Sequence, residues 1–136
     1  MGVKIYMASF FNTKERLLPE RDKLNAAGYE VISSWLKEVP NPTLTPKDYG
    51  THYTTEELTG YAYRDLGEIS IADVLIIDTI DETPRGGREV ELGFALAHKL
   101  FVIRVGPVRN VFHYLVNQAF DSWSEAHEFL NREVME

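Results

Sequence analysis

Short apolar runs alternate with amphipathic stretches along the chain, and this alternation predicts the order of its elements. Apolar runs of four to eight residues predict buried β-strands, and apolar positions spaced three or four apart predict helices. Strands are predicted at Val3–Ser9, Tyr29–Trp35, Ala72–Thr79, Leu100–Val105 and, at the sheet edge, Ala119–Trp123. Helices are predicted from Asn12 or Thr13 to Ala27, from Thr54 to Ile71, from Arg88 to Lys99, over Asn110–Asn117 and over Ser124–Glu133.

Capping residues and breakers sharpen these boundaries. Gly28 is expected to end the first helix, and Pro19 within it predicts a late start or a kink. Thr54 followed three residues later by Glu57 is typical of a capping box. The segment Lys37–His52 has three prolines and no periodicity, so we expect a functional loop that closes over a site.

The run Ala72–Thr79 is apolar on both faces, which is typical of a central parallel strand. Strands that alternate with helices predict a parallel sheet covered on both faces, here an α/β fold with three α/β/α layers. We therefore expect a single domain over residues 1–136, with a flavodoxin-like or Rossmann-like doubly wound sheet of about five strands. Ligands of such sheets bind beyond the carboxyl ends of the strands.

Composition narrows the class of function. The net charge is −7, so the chain lacks the basic face that a polynucleotide binder needs. It contains no cysteine, which excludes disulfides and thiolate metal sites, and its histidines show no metal-ligand spacing. We find no signal peptide and no long apolar run, so we expect a cytoplasmic protein without a membrane partner.

Candidate chemistry concentrates around the glycine pair at positions 86 and 87. Gly87 would let the backbone approach a ligand, and the following helix would point free N–H groups at it. Glu91 is expected in the first turn, where the helix dipole favours the ionised carboxylate, with Arg88 on the same face. Acidic residues are also common in first turns for that reason alone, so spacing leaves the role of Glu91 open.

Other polar residues have two interpretations each. Asp65 either contributes a second carboxylate or belongs to a solvated helix face. Asp78, at the carboxyl end of the central strand, either contacts a ligand or caps the following turn. Ser9 either hydrogen-bonds a ligand or caps the next helix.

Three blocks of sequence together resemble the nucleoside 2-deoxyribosyltransferase family. They are Lys4–Phe11 (KIYMASFF), Arg64–Ile69 (RDLGEI) followed by Ala72–Ile76 (ADVLI), and Glu91–Leu96 (ELGFAL). The related 2′-deoxynucleoside 5′-monophosphate N-glycosidases share these blocks, and the resemblance spans roughly residues 3–115. It implies cleavage of an N-glycosidic bond without metal or organic cofactor, and sites formed between subunits of at least a homodimer.

The resemblance also implies roles for single residues. Glu91 matches the nucleophile that attacks C1′, Asp65 an aspartate near the sugar, and Tyr6 a tyrosine that orients the nucleophile. Phe11 matches an aromatic residue that stacks on the base in the transferases, where the hydrolases have an arginine. His113 falls where a residue from a neighbouring subunit contacts the 5′ end of the substrate.

The chain departs from both patterns at Arg85, six residues before Glu91. The transferases have an aspartate there that works on the base, and the hydrolases have a phosphate-binding serine. Arg85 and Arg88 would suit a 5′-phosphate or an unusual base, whereas Phe11 favours a nucleoside. The choice between nucleoside and monophosphate stays open at this point.

We therefore expect a deoxyribosyltransferase that forms a covalent deoxyribosyl ester on Glu91 and passes the sugar to a second base. The alternatives are a monophosphate N-glycosidase, in which water takes the sugar, and a module that senses nucleotides without turnover. The expected partners are a small deoxynucleoside or deoxynucleotide and further copies of the chain.

Overall fold

The structure is a computed structural model that describes residues 2–38, 53–83 and 86–133. Five parallel strands form one sheet in the order β2-β1-β3-β4-β5. They are β1 (Lys4–Ala8), β2 (Glu30–Val31), β3 (Val74–Asp78), β4 (Phe101–Val105) and β5 (Gln118–Phe120). This order is that of a flavodoxin-like doubly wound sheet, so the predicted fold class is confirmed.

Four α-helices in the described ranges cover the sheet. They are α1 (Lys14–Ala26), α2 (Thr55–Ile71), α3 (Gly87–Ala97) and α4 (Trp123–Glu133). Helix α1 contacts α4, and α2 contacts α3, which gives one helical layer on each face. Short 3-10 helices follow at Phe11–Thr13, Ser34–Lys37 and Val111–Tyr114. No helix within these ranges is long and apolar enough to cross a bilayer.

The core lies along the two central strands. All five residues of β3 are buried, and so are four of the five in β1, because helices cover both faces of these strands. Leu17 and Leu24 of α1 seal one face, and Leu92 and Ala95 of α3 seal the other. This packing explains why the apolar run from residue 72 predicted the central strand so well.

The second strand is shorter than predicted, because side chains replace its ladder bonds. Only Glu30 and Val31 pair with β1. Beyond them, the Met7 amide donates to Ser33 Oγ at 2.6 Å, and Trp35 Nε1 donates to the Met7 carbonyl at 2.8 Å. The chain therefore leaves the sheet while the edge of β1 stays hydrogen-bonded, and it brings Trp35 over the carboxyl end of β1.

Two predictions about helix ends have different outcomes. Thr54 and Glu57 form the expected capping box at the start of α2. The predicted side-chain cap of α1 is wrong, since the Thr13 hydroxyl donates to the Phe10 carbonyl instead. Helix α1 also continues through Pro19 rather than starting after it. Gly28, with φ of 101°, ends that helix region as expected.

Candidate active site

A tyrosine and a glutamate meet at the carboxyl edge of β1. Tyr6 lies in β1, is fully buried and points towards the layer formed by α2 and α3. Its hydroxyl donates to Glu91 Oε2 of α3 at 2.5 Å. The Tyr6–Glu91 hydrogen bond that the family resemblance implied is therefore present. A bond this short is typical of a hydroxyl donating to a carboxylate.

Asp65 of α2 lies near Tyr6 and Glu91. Its carboxylate accepts from Arg64 Nη2 at 2.9 Å and from Nε at 3.2 Å. Its charge raises the pKa of both Tyr6 and Glu91, so it lies near enough to act on both groups. One strand and two helices thus bring together the three residues that the resemblance assigned to chemistry.

An aromatic cavity of about 220 Å³ opens beside Asp65. Its described lining combines aromatic rings with three charged groups: Phe11, Trp35, Glu38, Tyr53, Leu58, Tyr61, Arg64 and Asp65. The rings of Phe11 and Trp35 lie 6.1 Å apart, and the Arg64 guanidinium stacks over Tyr61 at 5.3 Å. Flat aromatic walls with a few charged groups suit a planar ring bearing polar edges.

The environment of Glu91 differs from the one that its sequence position predicted. Glu91 is the fifth residue of α3, so it lies beyond the first turn, which holds Glu89 instead. Burial, followed by the charges of Asp65 and Glu68, raises the pKa of Glu91 to about 8, although the Tyr6 hydrogen bond opposes this shift. The expectation that the helix dipole keeps Glu91 ionised is therefore wrong, because desolvation and like charges outweigh the dipole.

The pKa values of the two neighbouring groups are raised as well. Burial raises the pKa of Asp65 most, while its hydrogen bond with Arg64 lowers it. Burial and the charges of Glu91 and Asp65 raise the pKa of Tyr6 far above its ordinary value. The Tyr6 hydroxyl therefore keeps its proton more tightly than a free tyrosine does and donates it to Glu91. Glu91 therefore binds a proton near neutrality, and Asp65 holds its proton more tightly than a free aspartate does.

Asp78 is enclosed and satisfied by the protein itself. Its side chain is 1% exposed and accepts two bonds from Arg16 at 2.9 Å each. Trp123 Nε1 donates at 2.7 Å and the Ile80 amide at 3.0 Å. Asp78 thus caps the turn after β3, the second of its two interpretations, and the structure does not support a contact with substrate.

Arg88 is likewise committed within the chain. It is 4% exposed, and its guanidinium donates to the carbonyl oxygens of Asp78 at 3.2 Å and Asp81 at 2.9 Å. It also bonds Glu89 at 3.1 Å. Arg88 therefore stabilises the loop after β3, and it is not among the described residues that line the cavity, so its predicted phosphate contact is not supported. Arg85, its predicted companion, lies outside the described residues.

His113 is fully buried within its own chain. Its Nδ1 accepts from the Arg109 amide at 3.0 Å, so the proton lies on Nε2 and is shared with Glu89 at 2.7 Å. The expected contact of His113 with a partner's substrate is not supported, since the ring packs within its own chain.

The remaining predicted positions lie around the edge of the site. Ser9 Oγ lies 2.9 Å from Thr13 Oγ1 and donates to the Asp78 carbonyl at 3.5 Å, so it joins the β1 and β3 loops. Gly87 is the first residue of α3 and is exposed. Phe11 lines the cavity as expected. Of the expected loop Lys37–His52, the structure describes residues 37 and 38, and the rest lies outside the described residues.

Several site residues were missed by the sequence analysis. Arg64 binds the Asp65 carboxylate and forms an ion pair with Glu38. The charge of Glu68 raises the pKa of Glu91. Asp65 and Glu68 are three apart, and this spacing on one helix face is a signal that could have found Glu68. Trp35 had no such signal, because it was assigned to a strand.

The described residues contain no group of three or more His, Asp or Glu side chains arranged to hold a metal ion.

The fold is similar to those of solved proteins. A 2-deoxyribosyltransferase from Bacillus psychrosaccharolyticus matches with a TM-score of 0.73 and 21% identity, over 92% of this chain and 90% of that one. A conserved protein from Enterococcus faecalis V583 gives 0.69 and 13%, over 97% and 99%. A CMP N-glycosidase from Clostridium botulinum gives 0.58 and 16%, over 94% and 98%. Neither a family model nor a curated protein matches the chain. At these identities, the likeness establishes the shared fold.

Proposed function

We propose that this chain is a nucleoside 2-deoxyribosyltransferase that cleaves the N-glycosidic bond of a 2′-deoxynucleoside through Glu91. The observation that carries the proposal is the meeting of Tyr6, Asp65 and Glu91 beside a cavity walled by aromatic rings. A carboxylate aimed at a sugar carbon and a slot for a flat base are the two parts that this reaction needs. Similar folds in a deoxyribosyltransferase and a CMP N-glycosidase support the same class of chemistry.

The proposed reaction has two steps. The base leaves with the electron pair of the C1′–N bond, a proton reaches the base, and a Glu91 oxygen bonds to C1′ to form an ester. A nitrogen of a second base then attacks C1′, the proton of that nitrogen passes to Asp65, the ester bond breaks, and Glu91 is released as a carboxylate. Positive charge develops at C1′ in both steps, and the neighbouring carboxylates stabilise it.

Glu91 must lose its proton before it attacks. With a pKa of about 8, it is mostly protonated at neutral pH in the free protein. The Tyr6 hydroxyl favours the carboxylate by donating to it, and Asp65 is the nearby group able to carry a proton to the leaving base. We therefore expect the rate of base release to rise with pH through the titration of Glu91.

The charge of the cavity favours a nucleoside over a monophosphate. Among the described residues that line it, Arg64 is the one basic side chain, and Glu38 and Asp65 already bind its guanidinium. A substrate with C1′ at Glu91 has its 5′ group a few bonds away, well within the roughly 10 Å over which charges interact at 0.1 M salt. A 5′-phosphate would therefore find no unpaired basic group among these described lining residues, and two carboxylates already share the one guanidinium.

Oligomer formation is part of the proposal. The segment after β4 exposes four large apolar side chains, which suits burial against another copy of the chain: Val111, Phe112, Tyr114 and Leu115. Light scattering coupled to size exclusion should give at least a dimer. A monomer at micromolar concentration would contradict this part of the proposal.

The single domain and the cytoplasmic location remain predictions of the sequence.

Chromatography of the bases tests the reaction. The protein is incubated with a deoxynucleoside, with and without a second free base, and with the matching 5′-monophosphate. Base exchange supports the transferase, whereas free deoxyribose or its 5-phosphate would indicate the hydrolase. Glu91→Ala should abolish base release, and Glu56→Gln, at an exposed position of α2, should not change it. Binding of nucleosides by wild type without any base release would favour a sensing module.

A further inference from the structure

The Glu68 carboxylate is hydrogen-bonded by a residue outside its own helix. It lies three residues after Asp65 on α2. Glu68 Oε1 accepts from the Ser34 amide at 3.0 Å, and Oε2 accepts a short hydrogen bond from the Ser34 hydroxyl. One residue therefore binds both oxygens of the carboxylate, which fixes its position and orientation.

Ser34 begins the 3-10 helix that forms one wall of the cavity. This helix runs from Ser34 to Lys37 and carries Trp35, while Glu38 follows directly after it. Trp35 is 5% exposed and bonds to the Met7 carbonyl of β1 at 2.8 Å. The wall is thus attached to β1 through Trp35 and to α2 through Glu68.

Glu68 also contributes charge to the reacting groups. It raises the pKa values of Glu91 and Tyr6 and, after burial, that of Asp65. The charged groups that face Glu91 are Asp65, Glu68 and Arg64 from α2, and Tyr6 faces it from β1. Of these, Arg64 lowers the pKa of Glu91, whereas the two carboxylates of α2 raise it.

We propose that Glu68 is a positioning residue for the proposed reaction: it fixes the Ser34–Lys37 wall of the cavity and holds a negative charge beside Glu91. This inference rests on the proposed function. The first role determines how tightly the base is held. The second determines the pH at which Glu91 becomes a nucleophile, and it stabilises the positive charge that develops at C1′.

Two variants separate these roles. Glu68→Gln removes the charge but keeps an oxygen for the Ser34 amide, whereas Ser34→Ala keeps the charge and removes the hydroxyl bond. Glu68→Gln should lower the pH midpoint of kcat/KM by roughly 0.5–1 unit, because the pKa of Glu91 falls when a nearby negative charge is lost. Ser34→Ala should raise KM about fivefold with the midpoint unchanged, since one hydrogen bond is worth about 1 kcal/mol. The exposed Glu56→Gln should change neither quantity.

A carbon NMR titration of the Glu91 carboxyl gives a readout without turnover. Its resonance is assigned by comparison with Glu91→Gln, and circular dichroism verifies that each variant is folded. An identical Glu91 titration midpoint in wild type and Glu68→Gln would overturn the electrostatic role. An unchanged KM in Ser34→Ala would overturn the wall role. If wild type releases no base from any deoxynucleoside, the proposed function fails. The inference is then still decided by two measurements that need no turnover: the NMR titration, and the affinity of Ser34→Ala for a deoxynucleoside.

Discussion

Two carboxylates lie at the carboxyl edge of the same sheet in opposite surroundings. Asp78 ends β3 and receives four hydrogen bonds from Arg16, Trp123 and a backbone amide. Glu91 receives its bond from Tyr6, and two further carboxylates raise its pKa. Asp78 is fully buried and Glu91 is partly buried, but the larger difference between them lies in their partners.

This contrast separates a structural acid from a candidate nucleophile. Donors from three directions compensate the cost of burying Asp78, which leaves it no freedom to react with a ligand. Among the described residues, Glu91 has one donor, the Tyr6 hydroxyl, and it has like charges nearby. Its proton is therefore held near neutrality, and its carboxylate is reactive once formed. Location at the edge of the sheet is common to both residues and does not by itself indicate chemistry.

The largest expected effect comes from removing the charge of Glu91. Glu91→Gln should lower the rate of base release by roughly 10³-fold or more, because no ester can form on an amide. The Tyr6 hydroxyl can still donate to the amide oxygen, so the fold should be retained. Steady-state rates measured by chromatography test the loss of activity, and a thermal melt tests whether the fold is retained. A variant with more than about a tenth of wild-type activity would show that Glu91 is not the nucleophile.

Replacing Asp78 should affect stability instead. Asp78→Asn leaves Arg16 and the Trp123 indole without their charged acceptor, so the free energy of unfolding should fall by about 2–4 kcal/mol. Urea titration measures this, with Asp22→Asn as the control, since Asp22 is 65% exposed and pairs only with Arg21 in the bonds described. The control should change by less than about 0.5 kcal/mol. A loss of kcat per folded molecule in Asp78→Asn, without a loss of stability, would contradict the structural role.

Removing the Tyr6 hydroxyl that donates to Glu91 should have an intermediate effect. Tyr6→Phe deletes the hydrogen bond that lowers the pKa of Glu91, so the pH midpoint of kcat/KM should move upward by about one unit. Activity at pH 7 should then fall roughly tenfold, with partial recovery above pH 9. The pH–rate profile of both proteins measures this, and a midpoint that moves downward would contradict the assignment.

The smallest expected effect is on stability against pH. The pKa of Glu91 rises from 4.5 to about 8 on folding, so the folded chain keeps a proton that the unfolded chain loses. Stability is therefore full below about pH 4.5 and is lost as pH rises through 8. Glu91→Gln lacks this titration. The full shift would make the wild type lose roughly 4 kcal/mol relative to this variant between pH 5 and 9, and solvent screening of the partly exposed carboxylate should reduce that loss to about 2 kcal/mol. A constant difference across this range would show that Glu91 titrates normally.

Sequence patterns predicted the layers and strand number well, because apolar runs buried on both faces leave few alternatives for strands such as β3. They predicted the end of β2 poorly. Ser33 and Trp35 look like strand residues, but their side chains bind β1 in place of a ladder. The start of α3 was predicted to within one residue, yet that single residue placed Glu91 beyond the first turn.

The sequence by itself determined the fold class and, through the family resemblance, named Tyr6, Asp65 and Glu91 before any distance was known. Only the tertiary structure decided which polar residues are free to react. Arg88, Asp78 and His113 are chemically suited to bind a substrate, but long-range partners already occupy them. Burial and hydrogen bonding depend on residues far apart in the chain, and local patterns do not record them.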